Sequence, residues 1–182
     1  MPSSFGFLGT YPPTQCGLAT FSRDLMRSIA TPASGDRAGI VRVVDVPTGS
    51  VAPEVVGHLH ALSPGSHVAA ADALNTFDVA VVQYDYGIYG GQDGDQLLAV
   101  LDRLQVPVVL VAHSVLENPT PHQAEVMQRV IDASDAVVTL SEAGRERLVR
   151  RYQLESKPVR VIQHGAHMTP GGADVPMPGR RR

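Results

Sequence analysis

His113 is the side chain with the widest chemical reach in this sequence. It directly follows residues 107–112 (PVVLVA), the most apolar run in the chain, and precedes Ser114. An imidazole at the end of such a run can give or take a proton near neutral pH. Glu117, four residues on, would complete an acid–base pair only if the fold brings the two together. Other polar residues also abut apolar runs. Thr10 and Tyr11 follow FGFL and Gly9, Gln83 ends FDVAVVQ with Tyr84 and Asp85 after it, Ser141 and Glu142 follow AVVTL, and His164 comes just after VRVI. Polar groups in such places need a partner or solvent, and one shared cleft is the economical explanation. The bland alternative is that any α/β domain has polar loops.

The segment between residues 9 and 17 (GTYPPTQCG) carries a second kind of chemistry. Two prolines keep it extended. Gly17 opens the helical pattern that follows, and Thr14 reads as its cap. A helix N-terminus offers free N–H groups and a partial positive charge, so a phosphate fits there, with Gly17 allowing close approach. The same loop also reads as a plain turn, since it lacks G-x-G-x-x-G. Cys16 reads as a structural thiol. His58 with His60, and His164 with His167, have the spacing of weak metal pairs, but solvated histidines explain them as well, so no metal site is expected. No nucleophile elbow, P-loop lysine or paired-cysteine motif is present.

The elements that must position these residues alternate along the chain. Residues 5–8, 40–46, 55–62, 77–83, 107–112, 136–140 and 159–162 read as strands. Between or after them, residues 18–29, 66–75, 95–104, 122–133 and 142–152 carry helical patterns. Strict alternation predicts an α/β fold: a Rossmann-like, doubly wound parallel sheet of about six or seven strands with helices on both faces. Residues 107–112 are expected to be the central strand. In such a sheet the residues just past the strand ends meet at one edge. Gly17, Asp85, His113 and Glu142 should therefore share that edge. Residues 168–182, rich in Pro and Gly and ending in three arginines, read as a disordered tail behind a domain of residues 1–167.

The totals narrow the classes. The chain has 182 residues, 43% of them hydrophobic and 18% charged, enough for one domain with a real core. A net charge of −3 argues against nucleic acid as the main partner. One cysteine forbids an internal disulfide and suits a reducing compartment. No apolar run approaches the length of a membrane span, and the start has no basic-then-apolar leader. The expectation is a cytoplasmic protein, with docking on a membrane surface left open.

Taken in order, five pieces resemble the N-terminal half of a retaining glycosyltransferase of the GT-B fold, family 4 type: YPPTQCGLATF, FDVAVVQYDYGIYGG, VPVVLVAHS, SDAVVTLSEAGRERL and VRVIQHGAH. The resemblance implies one half of a GT-B fold. It implies transfer of a sugar from a nucleotide-sugar donor to a sugar, lipid or other small acceptor, with no further cofactor. It places His113 by the transferred sugar as the catalytic residue, and Gly17 and Glu142 at the donor phosphate and sugar. It places Tyr11, Tyr84, Asp85 and Ser114 in the acceptor cleft, with aromatic side chains such as Tyr11, Tyr84 and Tyr86 open to solvent there. A GT-B enzyme has two such domains, so it normally runs to about twice this length. The resemblance thus implies a separate C-terminal donor-binding domain, and this chain would be a truncated reading frame, a split enzyme or an orphan half. Two other readings stay open: a non-catalytic binding or partner module on the same fold, and a small hydrolase or epimerase using His113.

Overall fold

The computed structural model describes residues 3–45, 52–60, 63 and 65–165. Seven strands form one sheet: β1 (Ser4–Gly9), β2 (Arg37–Val44), β3 (Val55–His60), β4 (Val79–Tyr84), β5 (Val108–Ala112), β6 (Ala136–Thr139) and β7 (Val159–Val161). Their spatial order is β3-β2-β1-β4-β5-β6-β7, and every neighbouring pair is parallel. The alternation of apolar runs with helical patterns therefore gave the class and the strand count. It misplaced the middle, because β4 rather than β5 is central. Both strands are buried on both sides, and that is all an apolar run reports. The predicted tail 168–182, His167 and the ends of two predicted segments near residues 46–51 and 61–62 lie outside the described residues.

The helices are α1 (Gly17–Ile29), α2 (Ser66–Leu74), α3 (Leu98–Leu101), α4 (Pro121–Asp132) and α5 (Glu142–Arg151). One face of the sheet packs against α2 to α5. There Leu8, Val82, Leu110 and Val137 meet Leu74, Leu101, Met127, Ile131 and Leu148 in one continuous core. The other face packs against α1, where Phe7, Ile40, Val81 and Val111 meet Met26 with Phe21 and Leu25 beside it. Burying one such side chain contributes roughly 1.5–3 kcal/mol.

Local chemistry sets the ends. Thr120 and Gln123 form a reciprocal capping box at the start of α4, with Pro121 in its first turn. At the other end, Lys157 Nζ donates to the carbonyls of Ile131, Asp132 and Ser134 at 3.0, 2.6 and 2.7 Å. The helix expected over 95–104 is only a 3₁₀ turn (Asp95–Leu97) running into α3. Asn75 ends it, donating to the Arg103 carbonyl at 3.0 Å and accepting from the Gln105 N–H at 2.8 Å, so 103–105 is drawn out toward β5.

Candidate functional site

The loops leaving β1, β4, β5 and β6 meet at the carboxyl edge of the sheet. His113 sits there, half-buried, its backbone N–H donating to the Tyr84 carbonyl at 3.0 Å. Its Nε2 lies 2.7 Å from Oε1 of Gln83, a residue with 0% exposure. A carbonyl oxygen can only accept, so Nε2 carries the proton and Nδ1 keeps its lone pair. Burial pushes the imidazole down to about 4, against the pull of Asp85, and His164 lowers it further. His113 is therefore neutral near pH 7. Phe21 of α1 packs edge-on against its ring at 4.9 Å and against His164 at 4.8 Å, so one aromatic residue fixes both histidines.

Gln83 fits because Gly9 has no side chain. A Cβ on Gly9 would stand 2.9 Å from Gln83 Cβ. Ser114 Oγ donates to Asp85 Oδ2 at 2.5 Å, and Asp85 Oδ1 accepts from the Gly87 N–H at 3.1 Å. Both Asp85 oxygens are thus engaged, which fixes the loop after β4 to the end of β5.

A cavity of about 370 Å³ opens beside His113. Ser114, Glu117, Ser141 and Arg147 supply polar groups to it. Arg147 donates to the Val115 carbonyl at 3.3 Å and lies 3.5 Å from Glu117. Ser141 caps α5, its Oγ accepting from the Gly144 N–H at 3.1 Å. A cation, two hydroxyls, a neutral imidazole and a helix N-terminus suit a ligand bearing hydroxyl and anionic groups.

The structure thus brings Asp85, His113 and Ser114 together and sets Gly17 and Glu142 on the same edge. Gly17 is exposed at the start of α1, and a Cβ there would meet nothing within 4 Å. Glu142 is exposed and pairs with Arg145 on its own helix. It does not line the cavity beside His113.

Three expectations are corrected. Tyr11 and Tyr84 are not open aromatics, with 1% and 0% exposure. Tyr11 turns under the sheet edge and donates to Glu54 at 2.6 Å, and burial first, then that bond, pushes its phenol up while Glu54 is held low. Tyr84 is the next residue after the Gln83 side chain that faces α1, so it points to the opposite face, against Tyr86 at 5.3 Å. Tyr86 is only partly buried, so of the three it alone keeps some exposure. The third correction concerns the cap of α1. Cys16 Sγ accepts from the Ala19 N–H at 3.4 Å, while Thr14 is drawn away to Arg42, which donates to its Oγ1 at 2.9 Å. Cys16 also touches Thr10 at 3.5 Å. Among the described residues no group of three or more metal-ligating side chains converges, although the rings of His58 and His60 lie 5.8 Å apart.

Sequence reasoning placed Gln83 among the strand-end polar residues of the cleft but missed Phe21 and Arg147 as site residues. Phe21 looked like part of an apolar stripe, and Arg147 like one charge on a solvated helix. Only the spacing of Ser141, Gly144 and Arg147, three residues apart each, hinted at a shared face.

No curated protein matches the chain. Solved structures do. An alpha-glucosyltransferase in complex with UDP-glucose and DNA containing an abasic site is 12% identical at a TM-score of 0.59, over 88% of this chain and 42% of that one. The alpha-glucosyltransferase (AGT) in complex with UDP is 13% identical at 0.56, over 87% of this chain and 43% of that one. A complex of alpha-glucosyltransferase with UDP and a 13-mer DNA containing a central A:G mismatch is 11% identical at 0.54, over 78% and 38%. The chain spans about two fifths of the length of these enzymes. At such identities the likeness shows the fold, the Rossmann-like sheet of a GT-B glycosyltransferase. Two of these neighbours were solved with DNA, so the exclusion of nucleic acid finds no support here. Among the described residues no helix is long and apolar enough to cross a membrane. The family model described as Glycosyltransferase Family 4 matches residues 25–169, and the chain belongs to that family.

Proposed function

We propose that this chain forms the acceptor-side half of an enzyme that transfers a sugar from a nucleotide-sugar to a small acceptor. The observation that carries the reading is His113: neutral, its proton fixed on Nε2 by Gln83, and lining a cavity of about 370 Å³ at the carboxyl edge of the sheet. A neutral imidazole held this way meets a sugar hydroxyl without drawing the donor diphosphate away from its own site. Gly17 leaves room for a diphosphate oxygen at the N-terminus of α1. The exposed Glu142 carboxylate would accept from donor sugar hydroxyls rather than touch phosphate, since like charges repel. Asp85 and Ser114 would line the acceptor side, without Tyr11 and Tyr84. That solved neighbours hold UDP or UDP-glucose supports a nucleotide-sugar donor.

A labelled sugar-transfer assay tests this, with the chain alone and with a donor-binding domain of the family added. The expected result is no turnover alone, turnover with the added domain, and loss of most of it in His113→Ala. Robust transfer by the 182-residue chain alone would overturn the half-site reading. No transfer with a matched domain and a folded chain would favour a non-catalytic partner module instead.

A further inference from the structure

A second cavity, of about 300 Å³, lies on the carboxyl edge away from His113, between the ends of β1 and β2 and the loop after β4. Val44 and Ile88 give it an apolar wall, and a few polar groups converge on it. Two of these are hydroxyls that already accept. Thr14 Oγ1 takes a hydrogen bond from Arg42 Nη2 at 2.9 Å, and Thr10 Oγ1 takes one from Cys16 Sγ at 3.5 Å. Neither O–H proton is used among the described residues, so each hydroxyl is left to donate. The third group is Asp45, exposed just past the end of β2, whose carboxylate can only accept. Arg42 and Asp45 are the charged residues of the lining, one of each sign. Arg42 has 4% exposure and is engaged by Thr14, so it serves as a wall and not as a donor to a ligand. The two charges offset each other, and the cavity has no excess of either sign with which to attract an ion.

We propose that this cavity is an acceptor subsite for a neutral polyhydroxy ring, a sugar or cyclitol unit that bears neither phosphate nor carboxylate. The inference deepens the glycosyltransferase reading and rests on it: it names the acceptor class. A ring hydroxyl both gives and takes a hydrogen bond. Asp45 accepts from the ring, Thr10 and Thr14 donate to it, and its C–H face packs on Val44 and Ile88. A phosphate or carboxylate in the same place would lose water and meet the Asp45 carboxylate, with the guanidinium already taken by Thr14, so acids are turned away. The sheet also sets which part of the acceptor sits here. Asp45 follows β2 and His113 follows β5, three strand steps along the sheet, or about 14 Å at the ordinary strand spacing. A single ring does not span that distance, so the subsite holds a part of the acceptor remote from the hydroxyl that reacts beside His113. Asp85, whose Oδ1 accepts from the Gly87 N–H at 3.1 Å, joins the cavity wall to that reacting end.

The test is an NMR titration of the isotope-labelled full chain with glucose, galactose, mannose and myo-inositol, set against glucose 6-phosphate and glucuronate at the same concentrations. At least one neutral ring should shift the Thr10, Asp45 and Ile88 amides and reach saturation, and both acids should bind there several-fold more weakly. Asp45→Ala, at an exposed position, should weaken neutral-ring binding by about tenfold, the value of a hydrogen bond to a charged group. Asp45→Asn should bring glucose 6-phosphate close to the affinity of the neutral ring, a change of preference that a loss of packing does not produce. Silence at these residues toward all four neutral rings, tighter binding of the acids by the unaltered chain, or unchanged affinity in Asp45→Ala would overturn the subsite. UDP-glucose in a parallel sample separates the two readings. Shifts at Gly17 and His113 without any neutral-ring response overturn the subsite alone, and silence to every ligand overturns both.

Discussion

The two faces of this sheet are built for different ends. The face under α2 to α5 is a broad apolar core whose polar atoms are mainly phenol tips, those of Tyr84, Tyr86 and Tyr152. The face under α1 is apolar toward the amino end, at Phe7, Ile40 and Val81, and on β5 at Val111. Toward the carboxyl end it turns into a polar row: His58, Arg42, Gly9 and Gln83 across four strands, with Ser22 of α1 above them. Ser22 Oγ, Gln83 Nε2 and His58 Nε2 are buried without a hydrogen-bond partner among the described residues. Leaving such atoms unsatisfied costs about 1–3 kcal/mol each. The difference teaches where stability and chemistry reside. One face supplies the free energy of folding, and the other gives up part of it to hold His113 and Arg42 in place.

The largest expected effect tests the stable face. Leu110 is fully buried under the helices, and Leu110→Ala should cost about 2–5 kcal/mol in a urea melt. A cost below about 1 kcal/mol would mean that this face does not carry the core. The next effect tests the other face. His113→Ala should lower transfer, measured with a donor-binding domain present, by about a hundredfold or more, while stability falls by no more than the roughly 1–3 kcal/mol of the orphaned Gln83 oxygen. A large drop in stability instead would make His113 a packing residue.

Legibility in the sequence follows the same division. The apolar face was readable because its strands are continuous hydrophobic runs and its helices carry regular stripes, as in VVLVA and in Val126, Met127, Val130 and Ile131. The carboxyl edge was readable as a set of strand-end residues, which is how His113, Asp85 and Ser114 came into view. What lay beyond reach was side-chain direction. Tyr84 and Gln83 are neighbours, yet one faces the helices and the other faces α1, and no sequence pattern says which strand end turns its aromatic inward. Arg42 was hidden for another reason. It sits inside a β-branched run and reads as an interruption of a strand, and only pairing opposite Gly9 shows the space it fills. Thr14 was legible as a cap by residue type, but Arg42 competes for its hydroxyl and wins.

The polar face should also respond to pH. His113 falls from an ordinary 6.5 to about 4 in the folded chain, and His58 is lowered too, each chiefly by burial. Between those values the unfolded chain binds more protons than the folded one, so stability rises with pH there. The stability is present above about pH 6.5 and is lost progressively as pH falls toward about 4. Urea melts across that window should show the slope, and His113→Gln should flatten part of it. An unchanged slope would mean that His113 titrates alike in both states.

The smallest effect discriminates most finely between the faces. Ser22 is as buried as Leu110, each with 0% exposure, so a simple burial rule assigns both a large role in stability. Their surroundings differ. Leu110 loses packing and leaves a void when truncated. Ser22 loses one oxygen that has no partner among the described residues, and the Ala that replaces it keeps the Cβ and the helix propensity of α1. Removing an unsatisfied buried hydroxyl is nearly neutral or stabilising, within about 1 kcal/mol. Ser22→Ala should therefore leave the urea midpoint unchanged or raise it slightly. A loss of 2 kcal/mol or more, on the scale of a broken buried hydrogen bond, would show that Ser22 bonds an ordered water bridging to Gln83. The polar row would then be a satisfied network, and the His113 tautomer would depend on that water as well as on Gln83.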